Sequence, residues 1–267
     1  MCPPHVRSVW ISLCIFFNNS TFQEILQALW ANAHKRHIYR HSFVFLKTLI
    51  QYYLMIITYY GGEFFKIQTG DITIAFNPIG KYSTLKTSRF GANVALVSLN
   101  HDDFNGADQL SYGDKVPFVI SGPGEYEVGG IFIKGFPTET VYKKEKRINT
   151  IYSVMFDNIS LCFLGALSDP KSIGSETKEG VGDVDILFVP IGGGDVLTPS
   201  TAHEASLLFD PKMIIPMYYE GEGKGSPLAT FLKEAGNGAE TLEKLTIKKK
   251  DLEGKEGEIV VLKSNAD

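Results

Sequence analysis

A histidine and an aspartate lie two residues apart after an apolar run, and together they could bind a metal ion. His101 and Asp103 follow directly on the run Ala95–Leu99. Imidazole nitrogens and carboxylate oxygens are both zinc ligands, but a zinc site needs three or four donors at about 2.0–2.3 Å. The flanking side chains of Leu99 and Phe104 supply no donor. His101 and Asp103 are therefore candidate catalytic residues and metal ligands whose further partners would have to come from other parts of the chain.

The same two residues also have a structural interpretation. In a loop before a short helix, Asp103 could accept hydrogen bonds from free backbone N–H groups, and His101 could bond to a neighbouring residue. A third interpretation is a polar pocket, because several carboxylates beside a histidine could bind Mg²⁺ or a small cationic or sugar-like ligand. The local sequence leaves these three interpretations open.

The elements that must position these residues are mostly short strands. Gly70-Asp71 and Asp157-Asn158 separate apolar runs and predict two hairpins. The predicted strands are 64–69, 72–76, 94–98, 116–121, 126–128, 131–136, 151–156, 160–164, 184–189, 213–217 and 259–262. The other segments are two predicted helices, Ser200–Phe209 and Leu228–Ala235, and two charged or glycine-rich loops, Lys143–Arg147 and Lys171–Gly182. Many strands followed by a few helices favour a layered α+β fold.

Residues 1–54 differ in composition from the rest of the chain. They contain no glycine, and they carry five basic residues and one acidic residue, whereas residues 55–267 carry 21 basic and 29 acidic residues. We predict that residues 1–54 lie outside the fold, as a mis-assigned start or an extension, and that residues 55–267 form one domain. The alternative is a membrane or targeting segment around Trp10–Phe17, although no small-x-small cleavage site follows it.

The composition of residues 55–267 also predicts compartment and partners. Cys162 is the one cysteine of this region, so no disulfide can form within it, which is typical of a reducing cytoplasm. The net charge of −8 gives no electrostatic attraction to nucleic acid. We therefore expect a cytoplasmic protein with a small-molecule or protein partner and the possibility of a homo-oligomer. A membrane partner is expected only if residues 1–54 are real and ordered.

Several motifs in their order resemble the metallo-β-lactamase superfamily, and in particular its branch of compact metal-dependent hydrolases related to an ascorbate-phosphate lactonase. The motifs are Gly61-Gly62-Glu63-Phe64-Phe65, Asn77-Pro78, Gly122-Pro123-Gly124-Glu125-Tyr126-Glu127, Pro190-Ile191-Gly192-Gly193 and Pro211–Pro216 with Met217-Tyr218-Tyr219. The resemblance covers about Met55 to Leu262. It implies a four-layer αββα sandwich, which is an α+β fold with helices on both outer faces.

The same resemblance shows which metal ligands of the family are missing. Two family positions keep a donor, because His101 matches the second histidine of the zinc-binding loop and Asp103 matches its aspartate. The other five family positions fall on Leu99, Phe104, one of Thr138, Glu139 and Thr140, Ala166, and Tyr218. Two donors do not hold catalytic zinc, and without bound metal no hydroxide nucleophile forms at neutral pH.

We therefore expect a degenerate member of the superfamily that binds a small molecule or serves as a scaffold, with no cofactor. The alternative is an active hydrolase of a small ester, lactone or phosphate, using zinc or another divalent metal in an atypical site around His101 and Asp103. In either case we expect the site at one loop edge of the sandwich. Leu99, Phe104 and Tyr218 would form its apolar floor, and Glu63, Asp103 and Glu125 its polar rim. The candidate binding residues are Glu63, Asn77, Glu125, Asp195 and Tyr218.

Overall fold

The computed structural model describes residues 54–113, 116–219, 226–236 and 238–265. The interpretation of residues 1–54 falls outside this part of the chain, apart from Leu54, and stays a prediction. The strands are β1 (Met55–Tyr59), β2 (Phe65–Thr69), β3 (Ile72–Phe76), β4 (Val94–Leu96), β5 (Phe118–Ile120), β6 (Gly124–Val128), β7 (Ile131–Tyr142), β8 (Glu145–Phe156), β9 (Ile159–Phe163), β10 (Ile186–Pro190), β11 (Met213–Met217), β12 (Ala239–Leu242), β13 (Leu245–Ile247) and β14 (Glu258–Leu262). The helices are α1 (Ser175–Val181), α2 (Pro199–Leu207) and α3 (Pro227–Ala235), with 3₁₀ turns at Ala107–Leu110, Pro170–Ser172 and Lys249–Leu252.

The strands form two mixed sheets. The first has six strands in the order β13-β1-β2-β3-β4-β5, and the second has eight in the order β12-β14-β11-β10-β9-β8-β7-β6. Alternate residues of both sheets meet in one apolar core, where Phe65 packs edge-on against Phe188 and Phe76 stacks on Phe163. Successive side chains of a strand point to opposite faces of the sheet. The remaining residues of each strand therefore face away from this core, and a second layer of the fold can pack on them. The predicted α+β sandwich is confirmed.

The three helices cover the outer face of the eight-stranded sheet. Ala202 and Ala205 of α2 and Phe231 of α3 are buried against alternate residues of the central strands, such as Cys162 and Leu187. Both helices begin with a capped proline turn, in which Thr198 and Ser226 accept backbone N–H groups. The outer face of the six-stranded sheet packs instead against the loop after β3 and the 3₁₀ turn Ala107–Leu110. Within the described ranges, the expected helical layer on that side is therefore a loop and a 3₁₀ turn.

The hairpin of β7 and β8 is longer than predicted, with twelve residues in each strand. The segment Lys143–Arg147, predicted as a loop, contributes only Lys143 and Lys144 to the turn, both with positive φ. A two-residue turn with positive φ at both positions matches the twist of a hairpin, so the strands continue without a break up to Tyr142 and from Glu145. This extension carries side chains of the hairpin end to the loop that contains Asp103.

The segment Lys171–Gly182 also differs from the prediction, because α1 forms in its second half. Thr177 and Val181 are the buried residues of this helix, and Val181 belongs to the same apolar layer as the other two helices. One of these two buried residues, Val181, is apolar, so the segment shows no apolar periodicity in the sequence. Among the described residues, no helix combines the length and apolar character needed to cross a bilayer.

Candidate functional site

The loop after β4 turns Asp103 and Phe104 into the protein. The backbone N–H groups of Phe104 and Asn105 both bond to the carbonyl of His101, at 2.9 and 2.8 Å, which closes a tight turn directly after the strand. Asp103 and Phe104 are buried by this turn, with exposed fractions of 4% and 0%. The loop therefore points one carboxylate and one phenyl ring inward, while His101 stays half-buried.

The side chains at four of the expected ligand positions pack together. They form a separate apolar cluster, whose members are Leu99, Phe104, Ala166, Tyr142 and Val196, with Tyr218 packed against it. The rings of Phe104 and Tyr142 meet edge-on with centroids 4.9 Å apart, and Phe104 and Tyr218 are 6.4 Å apart. The first five side chains are at most 3% exposed, so buried, mostly apolar side chains occupy the positions at which the family resemblance places metal ligands.

Asp103 is surrounded by hydrogen-bond donors. Its Oδ1 accepts from Ser83 Oγ at 2.6 Å, and its Oδ2 accepts from Tyr142 OH at 2.7 Å and lies 2.9 Å from Lys143 Nζ. Burial acts to raise the pKa of Asp103, but the hydrogen bonds from Ser83, Tyr142 and Lys143 outweigh it, so the pKa lies below the usual value. Asp103 is thus a carboxylate whose two oxygens already serve the protein itself.

His101 is held against the same carboxylate. Its Nδ1 accepts the backbone N–H of Asp103 at 3.1 Å and lies 3.4 Å from Asp103 Oδ2. Its ring also packs edge-on against Tyr142, with centroids 5.0 Å apart. A nitrogen that accepts a hydrogen bond has its lone pair engaged, so Nδ1 is not available to a metal in this arrangement.

Tyr218 extends this hydrogen-bonded group towards the end of β11. Tyr142 donates to Asp103, so Tyr218 OH, 3.1 Å away, donates to Tyr142 OH. Burial raises the pKa of Tyr218, and the negative charges of Asp103 and Asp195 add to the effect. Burial also raises the pKa of Tyr142, so both hydroxyls stay protonated at neutral pH and act as hydrogen-bond donors.

The backbone of Tyr218 adopts a left-handed conformation, with φ of 55°, and its N–H bonds to Gly62 O at 2.7 Å. Positive φ is uncommon for a bulky residue and persists only where the surroundings enforce it. Here the backbone bond and the packing of the ring on Phe104 both hold the residue in place.

A second buried polar group lies beside this cluster and centres on Asn77. Its side-chain Nδ2 donates to Glu63 Oε2 at 2.7 Å and to Ser98 Oγ at 2.8 Å, and its Oδ1 accepts Ser98 N–H at 2.7 Å. Glu63 is fully buried, and its Oε1 has no partner in the described part of the chain. Burial raises the pKa of Glu63 to about 8, so its carboxyl group is neutral at pH 7.

Gly165 allows these side chains to approach the strand end. Its φ is +59°, and a Cβ at this position would lie 2.5 Å from both Ser98 Oγ and Asn149 Oδ1. Any larger residue would displace one of these two side chains. The adjacent Ala166 is fully buried, and its carbonyl accepts Thr140 Oγ1 at 2.6 Å.

The structure brings most of the predicted site residues together but corrects the polar rim. Glu63 and Asp103 are buried rather than at a rim, and Asp195 is half-buried close enough to Tyr218 for its charge to act on that hydroxyl. Glu125 is wrongly placed in the expected group. It lies on the edge strand β6, opposite Lys134 of β7, with its carboxylate 3.2 Å from Lys134 Nζ. Lys134 is eight residues from Tyr142 along the strand, or roughly 26 Å at about 3.3 Å per residue.

Sequence reasoning missed Ser83, Tyr142 and Lys143, although they make most of the contacts to Asp103. Tyr142 and Lys143 were missed because the hairpin was predicted to be shorter. The signal that could have found Tyr142 was a second alternation, shifted by one residue from that of Ile131 and Ile133, in which Thr138, Thr140 and Tyr142 are buried. Alternation at a period of two indicates that a strand continues.

The donor set does not fit the divalent metal that the family resemblance implies. Leu99, Phe104 and Ala166 have no donor atom in their side chains, and within the protein His101 uses its Nδ1 and Asp103 uses both carboxylate oxygens. In the described residues, no group of three or more histidine, cysteine, aspartate or glutamate side chains is placed to hold a metal. This arrangement can support a rigid loop edge, but we derive no metal-dependent step from it.

Tyr142→Phe is expected to destabilise the protein by about 2 kcal/mol, because it removes a donor from a buried carboxylate and an acceptor from Tyr218. Urea unfolding of the two proteins measures the difference. Tyr112→Phe is the matched control, since the Tyr112 side chain is 75% exposed, and we expect it to change stability by less than about 0.5 kcal/mol. Equal stability of Tyr142→Phe and the wild type would contradict the proposed position of this hydroxyl.

Comparison with known proteins gives the class to which this fold and site belong. The family model of the beta-lactamase superfamily domain matches residues 56–218, and the chain therefore belongs to this superfamily. The match begins in β1 and ends at Tyr218, so it includes every member of the apolar cluster.

Individual relatives fall within the same superfamily. A protein of Lysinibacillus sphaericus described as a metal-dependent hydrolase is 28% identical over 200 residues, which cover 62% of this chain and 85% of the relative. One from Listeria welshimeri with the same description is 25% identical over 199 residues, with the same coverage. A Thermotoga maritima protein of known crystal structure, described as a zinc-dependent hydrolase of the metallo-β-lactamase superfamily, is 27% identical, with a TM-score of 0.63, and the match covers 79% of this chain and 100% of that one.

Proposed function

We propose that this chain is a non-catalytic member of the superfamily that acts by binding a small molecule, or as a scaffold for a protein partner. The observation that carries the proposal is the apolar cluster of Leu99, Phe104, Ala166 and Val196 with Tyr142, which takes the place of the converging donors that a metal needs. Burying these side chains stabilises the loop edge. Introducing a metal would require the cluster to open.

The bonds of Asp103 support the same proposal. A catalytic carboxylate must reach a substrate, a water or a metal, whereas both oxygens of Asp103 face donors of this chain. The same residue type that binds metal in the family thus acts here as a hydrogen-bond centre that connects the loop after β4 to the β7–β8 hairpin. We therefore propose that His101 and Asp103 have a structural role and that neither is a catalytic residue.

The alternative function is an active hydrolase of a small ester, lactone or phosphate with an atypical metal site. Two observations favour it: His101 and Asp103 lie side by side in the loop after β4, and the Lysinibacillus and Listeria relatives are described as metal-dependent hydrolases. In that case a divalent metal would have to displace Tyr142 or Lys143 from Asp103. This requirement separates the two functions experimentally.

Metal analysis of the full chain tests the proposal. We expect protein purified without chelator to contain far less than one zinc or manganese ion per chain, and His101→Ala to leave that content unchanged. Added zinc or manganese is expected to leave the melting temperature unchanged, because only a ligand that prefers the folded state raises it.

The matched control is His203→Ala, since His203 lies on α2 and is not part of the cluster. Stoichiometric metal that is lost in His101→Ala but kept in His203→Ala would overturn the proposal and favour the hydrolase.

A further inference from the structure

We propose that a cleft at the end of the β7–β8 hairpin binds a small ligand that carries an anionic phosphate or carboxylate group on an apolar body. This inference rests on the proposed function, to which it adds the class of the ligand and the place where it binds. The cleft has a volume of about 620 Å³ and lies between the end of the β7–β8 hairpin and the segment 168–172. Small-molecule sites in proteins commonly measure about 300–1,000 Å³.

The cleft is separate from the apolar cluster around Phe104. Glu139 and Val141, two exposed residues of β7, line it, whereas Tyr142 is buried and bonds to Asp103. Thr140 also lines it, but its Oγ1 bonds to Ala166 O. The cleft therefore remains open although the expected metal position is filled.

Three cations line the cleft, and two of them are uncompensated. Neither Lys146 nor Lys171 has a carboxylate within 4 Å of its ammonium group among the residues that the structure describes. Arg147 is held in place by Asn100 O, 2.9 Å from Nη1, and by Glu145, 2.5 Å from Nη2. Its buried Nε has no acceptor in the described ranges, so the guanidinium keeps an unused donor.

A hydroxyl group adds a further donor. Ser168 Oγ accepts the backbone N–H of Val141 at 3.2 Å, and its own proton has no acceptor among the described residues. The other two hydroxyls of the cleft are engaged, since Ser172 donates to Asp169 O and Thr140 to Ala166 O. The free polar groups of the cleft are thus mainly donors, which match the several acceptor oxygens of a phosphate or carboxylate group.

Two carboxylates also line the cleft and determine how the proposal can be tested. Asp169 is engaged locally, because its Oδ1 accepts the N–H of Lys171 at 2.9 Å and caps the 3₁₀ turn. Glu139 is exposed, and no ion pair is present for it in the described part of the protein. Its negative charge would repel an anionic ligand, so removing it should strengthen binding of an anion and weaken binding of a cation.

Exposed apolar side chains indicate the rest of the ligand. Val141 and Ile148 both line the cleft and are 46% and 65% exposed. Ligand sites combine apolar walls with a few placed polar groups, and covering these two side chains would remove apolar surface from water. An anion with an aryl or alkyl body can contact both the donors and the apolar side chains of the cleft, whereas inorganic phosphate can contact only the donors.

Calorimetric titration of the full chain with phenyl phosphate tests the site, with benzoate, inorganic phosphate and phenol as comparison probes. We expect phenyl phosphate or benzoate to bind more tightly than inorganic phosphate or phenol. The double variant Lys146→Gln/Lys171→Gln is expected to weaken that binding at least about tenfold, since two charge-assisted contacts are lost. Lys233→Gln/Lys250→Gln removes the same charge from exposed positions outside the cleft and should leave the affinity unchanged.

Glu139→Gln tests whether the ligand of the cleft is an anion or a cation. We expect the variant to bind the aryl anion more tightly than the wild type does. No binding at millimolar concentration, equal binding by the Lys146/Lys171 variant and the wild type, or weaker binding by Glu139→Gln would each overturn the anion site.

Metal content, measured on the same samples, keeps the two proposals apart. Metal-free protein that fails to bind would overturn the anion site alone. Protein that carries stoichiometric metal and still binds through Lys146 and Lys171 would overturn the non-catalytic function and retain the site.

Discussion

Glu63→Gln is expected to remove most of the pH dependence of stability between about pH 5 and pH 8. Burial raises the pKa of the Glu63 carboxyl to about 8 in the folded protein, against an ordinary value of 4.5. Between these two values the folded protein holds a proton that the unfolded chain has released, so stability falls as pH rises through this window. A shift of this size corresponds to roughly 3–5 kcal/mol.

A glutamine side chain has nearly the same shape as the glutamate side chain that it replaces, and Asn77 keeps its hydrogen-bond partner. A glutamine can present its side-chain oxygen to Asn77 Nδ2, which now donates to Glu63 Oε2. Its amide is neutral at every pH, so the variant should be about as stable as the wild type at pH 5 and more stable at pH 8. Urea unfolding at several pH values measures both the difference and its slope.

Asp185→Asn is the matched control with the opposite sign. Burial acts to raise the pKa of Asp185, but hydrogen bonds from Lys212, Lys249 and Ser160 N–H outweigh it and lower the pKa. Its carboxylate therefore contributes stability that is present at neutral pH and lost as pH falls below the unfolded value. The two lysines are partly exposed, so we expect a loss of only about 2 kcal/mol at pH 7. A Glu63→Gln variant with the same pH slope as the wild type would contradict the neutral, buried state of Glu63.

Restoring the missing donors is expected to convert the apolar cluster into a zinc-dependent one. The variant combines Leu99→His, Phe104→His, Ala166→Asp and Tyr218→His. Without metal it should lose at least about 5 kcal/mol, because truncating a buried phenyl ring alone costs about 3–5 kcal/mol and the new polar groups lack partners. With zinc, four new donors join His101 and Asp103, and binding stabilises the folded form.

Thermal unfolding with and without zinc measures the effect, with the protein refolded in the presence of the metal. The control carries asparagine at the same four positions, which removes the same apolar contacts without adding imidazole or carboxylate ligands. The milder pair Leu99→His/Phe104→His leaves Tyr218 and its bond to Tyr142 in place. If zinc at micromolar concentration raises the melting temperature of neither ligand variant, the assignment of these positions to the metal site is wrong.

Local sequence was sufficient to predict most of the strands. β3 lies where the apolar runs around Gly70-Asp71 predicted it, and β2 and β9 lie within one residue of their predicted bounds. Alternation and turn residues act over a few positions, so they are visible without knowledge of the fold. The prediction failed at Lys143-Lys144, because a turn usually formed by glycine or asparagine is formed here by two lysines.

The sequence by itself determined the superfamily and the absence of donor atoms at Leu99, Phe104 and Ala166, because a side chain's chemistry does not depend on its surroundings. Only the tertiary structure decided what replaced the donors. Tyr142 reaches Asp103 across 39 residues of sequence, and contacts at such a separation follow from the pairing of β7 and β8 and the packing of the sheets.

Tertiary structure also decided the burial of Glu63 and the distant position of Glu125, which the sequence analysis had placed on one rim. Both are glutamates in glycine-rich segments and look alike in the sequence. One lies beneath the loop edge, where water is excluded and its pKa rises, and the other lies on an exposed edge strand. Burial depends on the whole fold, and it determines whether a carboxyl group is charged.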